Sequence, residues 1–441
     1  MSNVIQVVTI GLIVCSGGGM NVALAEGVSA IPISDLHRPT LSPDRVILTW
    51  TKDPKTSQAV TWRTSPAVTK GIAQIAESTP NKDFVKTSKE VIATTQPLKS
   101  KLFESHYHSA EFDGLKPATK YLFRVGDGTN WTEWSQFVTA SDQPEPFSFV
   151  YFGDAQNDIK EHWSRVIRES FTDAPKARFF LHAGDLINNA SADDEWGDWH
   201  RAGGWANMMI PSVATPGNHE YEVRTNPAPP KYSLTPFWRA QFALPTNGPA
   251  GLEETAYWMD YQGARIISLN SNENVTEQVP WLEGILADNP NKWTIVTFHH
   301  PIYSAAPKRD NPIIRKNWQP IFDRFHVDLV LQGHDHTYAR TGMVMGQNVA
   351  EGTTTQSGKS GTVYVVSVSG PKMYDLARND RMVRAASNTQ LYQIITVDGG
   401  ELRYRAHLAT GELYDAFMLK KNDKGPNELI EQVPATPERL D

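Results

Sequence analysis

The chain has 441 residues, too many for one compact core and enough for two domains. Its formal charge is -7, and its 42 lysines and arginines are scattered, which argues against a nucleic-acid backbone as the main partner because that binding needs a basic face. The one cysteine, Cys15, has no partner for a disulfide within the chain.

The N-terminus reads as a cleaved export signal over residues 1–25. Val4 to Val14 is apolar apart from Gln6 and Thr9, and Ala23-Leu24-Ala25 offers a small-x-small cleavage site before Glu26. Met1-Ser2-Asn3-Val4 lacks the usual basic residue, and the apolar run is too short to span a membrane. A secreted or periplasmic protein is expected; a lipid anchor on Cys15 is the second reading, against which Val14 stands where a small residue is required.

Residues 40–140 read as all-β. Arg45 to Trp50, Gln58 to Arg63 and Lys120 to Val125 are β-branched or aromatic runs separated by turn residues. Leu115 to Tyr121 resembles the strand-entry corner of fibronectin type III sandwiches, which makes Tyr121 a structural residue whose hydroxyl ties the loop down. Ser141-Asp-Gln-Pro-Glu-Pro146 is a short linker. From Phe147 strands alternate with helices, the pattern of layered α/β folds, in a domain placed at 147–415. Helical spacing marks Asp158 to Ser170 and Val279 to Ala287, and Ser191-Ala-Asp-Asp194 reads as a capping box opening a helix that packs through Trp196 and Trp199. Residues 416–441, rich in charge and proline from Lys420 on, are expected to form a loose tail.

Five strand-like runs in the second domain deliver the same kind of residue at their carboxyl ends. Phe147 to Phe152 leads to Asp154, and Ala177 to Ala183 leads to Asp185. Pro211 to Pro216 leads to Asn218 and His219, Trp293 to Phe298 to His299 and His300, and Val327 to Gln332 to His334 and His336. Loops after the carboxyl ends of parallel strands converge on one crevice, so the runs describe a single site. Gly333 is expected to allow the sharp bend that brings both histidines of the last run to it. Asp, Asn and His together suit Zn, Mn or Fe. Two such ions need a bridging carboxylate, and the pair can lower the pKa of water and clamp a phosphoryl group.

Gly153-Asp154, Gly184-Asp185, Gly217-Asn-His-Glu220, Val296-Thr-Phe-His299 and Gly333-His-Asp-His336 resemble, in order, the five blocks of the calcineurin-like metallophosphoesterases. The sandwich with Thr49-Trp-Thr51 and Val60-Thr-Trp-Arg63, together with Gly333 to Tyr338, resembles the purple acid phosphatase branch. The resemblance implies a fibronectin type III-like β-sandwich followed by a four-layer α/β/β/α catalytic domain. It implies two divalent metal ions, Fe, Zn or Mn: Asp154 and His336 on the first, Asn218, His299 and His334 on the second, and Asp185 between them. His219 matches the residue that stabilises charge on the phosphate or protonates the leaving alkoxide. His300 is expected to support ligands rather than ligate, Asp335 to orient its neighbours or face solvent, and His106, His108 and His162 to be ordinary histidines.

Two positions depart from the family pattern. The chromophoric tyrosine three residues after the bridging aspartate is replaced by Asn188, and Gln156 stands where Gly or His is usual. Either is a candidate further ligand through a neutral carbonyl oxygen, which suits a divalent, colourless centre. The implied activity is hydrolysis of small phosphate monoesters by in-line attack of a metal-bound hydroxide. Phosphodiester or nucleotide hydrolysis by the same centre is the alternative, and a surface binding protein with a degenerate first metal site is the third reading.

Overall fold

The structure is a computed structural model that describes residues 31–224, 231–349, 352–357, 361–422 and 426–441; the expected export segment lies outside them. Among the described residues no helix is long and apolar enough to cross a membrane.

Two four-stranded antiparallel sheets make the N-terminal sandwich. One runs in the order Asp44–Thr49, Ser57–Thr64, Glu104–Asp113, Thr94–Lys99, the other Lys89–Ile92, Ile72–Glu77, Lys120–Gly126, Ser135–Val138. Strand alternation divides the first sheet between two cores. Val46, Leu48, Val60, Trp62 and Phe112 face the sandwich interior, whereas Ile47, Leu98 and Tyr107 join the core of the second domain. The tyrosine corner is present: the Tyr121 hydroxyl accepts the Lys116 N–H at 2.9 Å.

The sandwich is locked to the second domain by ions as well as by packing. Arg45 and Arg63, both buried, reach the buried Asp193 carboxylate at 2.6 and 3.4 Å, and Ser100 Oγ donates to its other oxygen at 2.8 Å. The expected capping box of Ser191 and Asp194 is not made: the helix Asp193–Gly203 starts one residue later, with Ala192 as its N-cap and no side-chain cap. Trp196 and Trp199 of that helix are fully buried packing residues, as expected.

The second domain stacks two large sheets. A seven-stranded sheet runs Ser212–Ala214, Phe180–His182, Phe147–Phe152, Leu391–Asp398, Glu401–Leu408, Leu413–Lys420, Glu428–Glu431, with its first three strands parallel. In the other, Ala264–Ser268, Trp293–Thr297, Leu329–Gln332 and Thr362–Val366 are parallel neighbours. On that sheet Ile266, Ile295, Leu329, Leu331, Val363 and Val365 face the core shared with the seven-stranded sheet. Their neighbours Ile267, Val296, Val330 and Tyr364 face the helices Val279–Ala287 and Pro312–Phe325 through Leu282, Leu286, Ile314 and Trp318. The helices Ser164–Asp173 and Asp193–Gly203 cover the seven-stranded sheet through Val166, Ile167 and Trp199, which completes the four layers.

The C-terminal residues are not a loose tail. Leu413–Lys420 buries Tyr414, Phe417 and Leu419, and Glu428–Glu431 pairs beside it. Part of the charge that made the segment look solvated has fixed partners. Glu431 joins Asp415, just before the segment, in holding the buried guanidinium of Arg340 at 2.8 and 2.7 Å, and a buried cation is stable only when so paired.

Candidate metal centre

All five runs end at one place. The strands Phe147–Phe152 and Leu329–Gln332 lie in different sheets, and the Tyr151 hydroxyl ties their ends by donating to the Gln332 carbonyl and accepting the Gln332 N–H. Asp154 stands three residues past Tyr151 and His334 two past Gln332, close enough that the His334 N–H donates to Asp154 Oδ1 at 2.7 Å. Gly333 is needed here for space rather than for a left-handed turn. A Cβ on it would come within 2.2 Å of Asp154 Oδ1, whereas the left-handed residues are His334 at φ 76° and His336 at φ 49°. Asp185 is left-handed too, at φ 52°. Such conformations cost about 1–3 kcal/mol each and persist where surrounding structure over-determines them.

The ligand atoms form two groups that share Asp185. Those of Asp154, Asp185 and His336 lie within 4.8 Å of one another, and so do those of Asp185, His299 and His334. Asn218 joins the second group with Oδ1 3.2 Å from His299 Nε2. Hydrogen bonds turn the ring nitrogens inward. His299 Nδ1 faces the Ala183 carbonyl at 2.8 Å and His336 Nδ1 faces the Lys372 carbonyl at 2.8 Å, so each presents Nε2 to the cluster. There His299 Nε2 lies 3.1 Å from both Asp185 Oδ2 and His334 Nδ1, and His336 Nε2 lies 3.1 Å from Asp154 Oδ2. Asp154 Oδ2 and Gln156 Oε1 are buried with no hydrogen-bond partner. Inward-facing lone pairs and orphaned buried oxygens are what a pair of cations would satisfy, so the residues fit a dimetal centre.

The two departures from the family pattern have different places. Gln156 is fully buried in the first group, its Nε2 2.9 Å from Asp185 Oδ2 and 3.0 Å from His336 Nε2, and turning the amide over would present Oε1 to an ion. Asn188 meets the centre through its backbone, its carbonyl accepting from His219 Nδ1 at 2.5 Å. His219 is half-buried, with Nε2 4.0 Å from Asp185 Oδ2. His300 stays outside both groups, bonded to Ser271 Oγ at 2.8 Å with its ring against that of His334. Asp335 is buried away from solvent and accepts from Ser304 Oγ, the Ala305 N–H and Arg309.

Electrostatics follow from burial and crowding. Burial, with the Asp185 charge added, pushes Asp154 up to about 7 against the pull of His299. Burial opposes the charge on Asp185 as well, but His299 outweighs it and holds this carboxyl below the usual range. Burial likewise disfavours a charged His299, yet Asp185 and Asp154 raise it to about 9. Burial lowers His336 and His300 to about 3 and His334 further still. A site that draws a proton onto His299 between two carboxylates also attracts a divalent cation, which would release that proton on binding.

Several supporting residues escaped the sequence reading. Glu220 lay inside a quoted block without a role, Tyr151 and Arg309 carried no signal because their partners are 181 and 25 positions away, and Glu195 meets a nearby loop that has no motif of its own. Glu195 Oε2 accepts the N–H groups of Asn188 and Asn189 at 2.6 and 2.9 Å, fixing the loop that orients His219.

Residues 43–139 match the family model of the purple acid phosphatase N-terminal domain and residues 147–338 that of the calcineurin-like phosphoesterases, together well over half of the chain. An uncharacterised protein of Mycobacterium tuberculosis is 27% identical over 74% of this chain and 65% of its own length. The Fe(3+)-Zn(2+) purple acid phosphatase 12 of Arabidopsis thaliana is 25% identical over 64% of this chain and 62% of its own length. The chain thus spans less than two thirds of these curated relatives. A purple acid phosphatase isolated from yellow lupin seeds shares the fold, with a TM-score of 0.73 and 18% identity over 87% of this chain and 75% of its own. The chain belongs to the calcineurin-like phosphoesterases, in the branch marked by a purple acid phosphatase N-terminal domain.

Proposed function

We propose that this chain is a dimetal-dependent phosphohydrolase that cleaves small phosphate monoesters. The observation that carries the reading is the shared position of Asp185 between two convergent ligand groups. Asp154, His336 and Gln156 would hold one divalent ion, Asn218, His299 and His334 the other, and Asp185 would bridge. Bound there, two such ions supply a nucleophile from water near neutral pH and neutralise charge on the phosphoryl group. His219 donates through Nδ1 to the Asn188 carbonyl, which leaves Nε2 to pass a proton to the departing oxygen. With asparagine at 188 there is no phenolate to favour a trivalent ion, so Fe(II), Zn or Mn fits the first site and the protein is colourless.

The test is metal content and activity measured together after reconstitution with Mn, Zn or Fe. Para-nitrophenyl phosphate should be cleaved in proportion to bound metal, and Asp185→Ala should lose about a thousandfold in kcat/KM together with tightly held metal. Full activity in that variant overturns the mechanism, a visible charge-transfer band overturns the divalent assignment, and faster cleavage of the matching diester favours the phosphodiesterase reading. Export is proposed on the apolar run and Ala23-Leu24-Ala25 alone; the N-terminal sequence of the mature protein tests it.

A further inference from the structure

A groove of about 290 Å3 lies on the seam between the two domains. The sandwich contributes Lys120 and Phe137 to its walls. The second domain contributes the chain that enters two of its parallel strands, Lys176 and Arg178 ahead of Phe180–His182, and Met209 and Ile210 ahead of Ser212–Ala214. Asp185 and Asn218 follow those same strands, so the groove sits at their opposite ends from the metal centre and the reaction does not use it.

The floor of the groove is apolar. Phe137 and Ile210 are buried there, and Phe171 and Met209 are half-buried. The Trp205 ring stands on that of Phe171, their centroids 4.5 Å apart. Trp205 is 58% exposed and is the one exposed tryptophan of 13, so a large apolar surface is left in water beside the groove.

The rim has one sign of charge. Lys120, Lys176 and Arg178 line the groove and no carboxylate does, in a chain whose formal charge is -7. Among the described residues none of the three has an ion-pair partner. The neighbouring acids are engaged elsewhere: Asp173 with the Tyr392 hydroxyl and His407, and Glu77, which pairs across the strands with Tyr121, with Lys116. Exposed cations by themselves are merely solvated, but three around a concave apolar floor match a molecule that joins an apolar body to an acid group. Concavity favours a single molecule over the flat surface of a bilayer.

We infer that the groove binds an amphipathic aromatic carboxylate, its ring against Phe171 and Trp205 and its acid group among Lys120, Lys176 and Arg178. The site is independent of the phosphohydrolase reading.

The experiment is calorimetric titration of the full, metal-loaded chain with naphthoate and with naphthylmethanol, the same ring without the charge. Naphthoate should bind with a Kd below about 1 mM and at least about tenfold more tightly than the alcohol, and more weakly as salt is raised. Lys176→Glu and Trp205→Ser, both at exposed positions, should each weaken it at least about fivefold while thermal denaturation stays as in wild type. Chelating the metals should leave it unchanged. No binding, equal binding of the alcohol, or binding that neither variant moves overturns the inference. Loss of binding on chelation overturns it by placing naphthoate on the metals. Phosphatidylglycerol vesicles that sediment wild type but not Lys176→Glu, with no uptake of naphthoate, overturn it in favour of a membrane surface.

Discussion

The buried carboxylate of Glu220 accepts the backbone N–H of Asp185 at 2.9 Å. The same group takes the N–H of Leu186 at 2.8 Å and of Gly217 at 2.6 Å, so one side chain clamps the two loops that carry Asp185 and Asn218. Burial and the charge of Asp185 push it up to about 8, and the N–H groups draw it back toward the carboxylate form. Glu220→Ala would strand three buried donors. Stability should drop by about 3 kcal/mol or more in urea titration, with loss of bound metal. Unchanged metal content would mean that the loops hold their shape without the clamp.

Glu195 acts one step further out, through the loop whose Asn188 carbonyl orients His219. Misaligning a proton donor harms poor leaving groups most. Glu195→Ala should therefore lower kcat for an alkyl phosphate about tenfold while changing that for para-nitrophenyl phosphate little, and Glu195→Gln should recover part of the loss. Equal effects on both esters would assign Glu195 to stability alone.

His182 is buried against Phe152, Trp163 and Trp199, and its Nε2 has no hydrogen-bond partner. Burial lowers it to about 3, below the unfolded value of about 6.5. The unfolded chain thus binds the extra proton, so stability is full above about pH 6.5 and declines as pH falls toward 3. His182→Phe removes that dependence. It should gain about 2 kcal/mol relative to wild type on moving from pH 8 to pH 5, measured by denaturant titration at both values. A pH-independent difference would refute a neutral buried His182.

Removing residues 426–441 tests the C-terminal strand. The deletion takes away the Glu431 partner of buried Arg340 and exposes the edge of Leu413–Lys420. A loss of about 3 kcal/mol is expected from thermal or chemical denaturation, because a buried guanidinium would be left half paired. No change would restore the view of a dispensable tail.

Much of the fold was legible because it is written in local periodicity. Phe147–Phe152, Trp293–Thr297 and Val279–Ala287 lie where their apolar spacing placed them, and the turn to alternating strands and helices after Pro146 separated the sandwich from the layered domain. Reading failed where a residue's role depends on a remote partner. Asp193 carried no reading beyond its place in a helix start, yet it holds Arg45 and Arg63, and the charge of the C-terminal segment looked like solvation although Glu431 pairs with the buried Arg340.

The sequence by itself determined the ligand types, their order at strand ends and the metal chemistry they suit, because side-chain donors and strand periodicity are local properties. Only the tertiary structure decided that Asp185 belongs to both ligand groups and that Gly333 makes room for a carboxylate. Those facts arise from close approach between segments up to 180 positions apart, as His334 and Asp154 are, and no spacing along the chain encodes such distances.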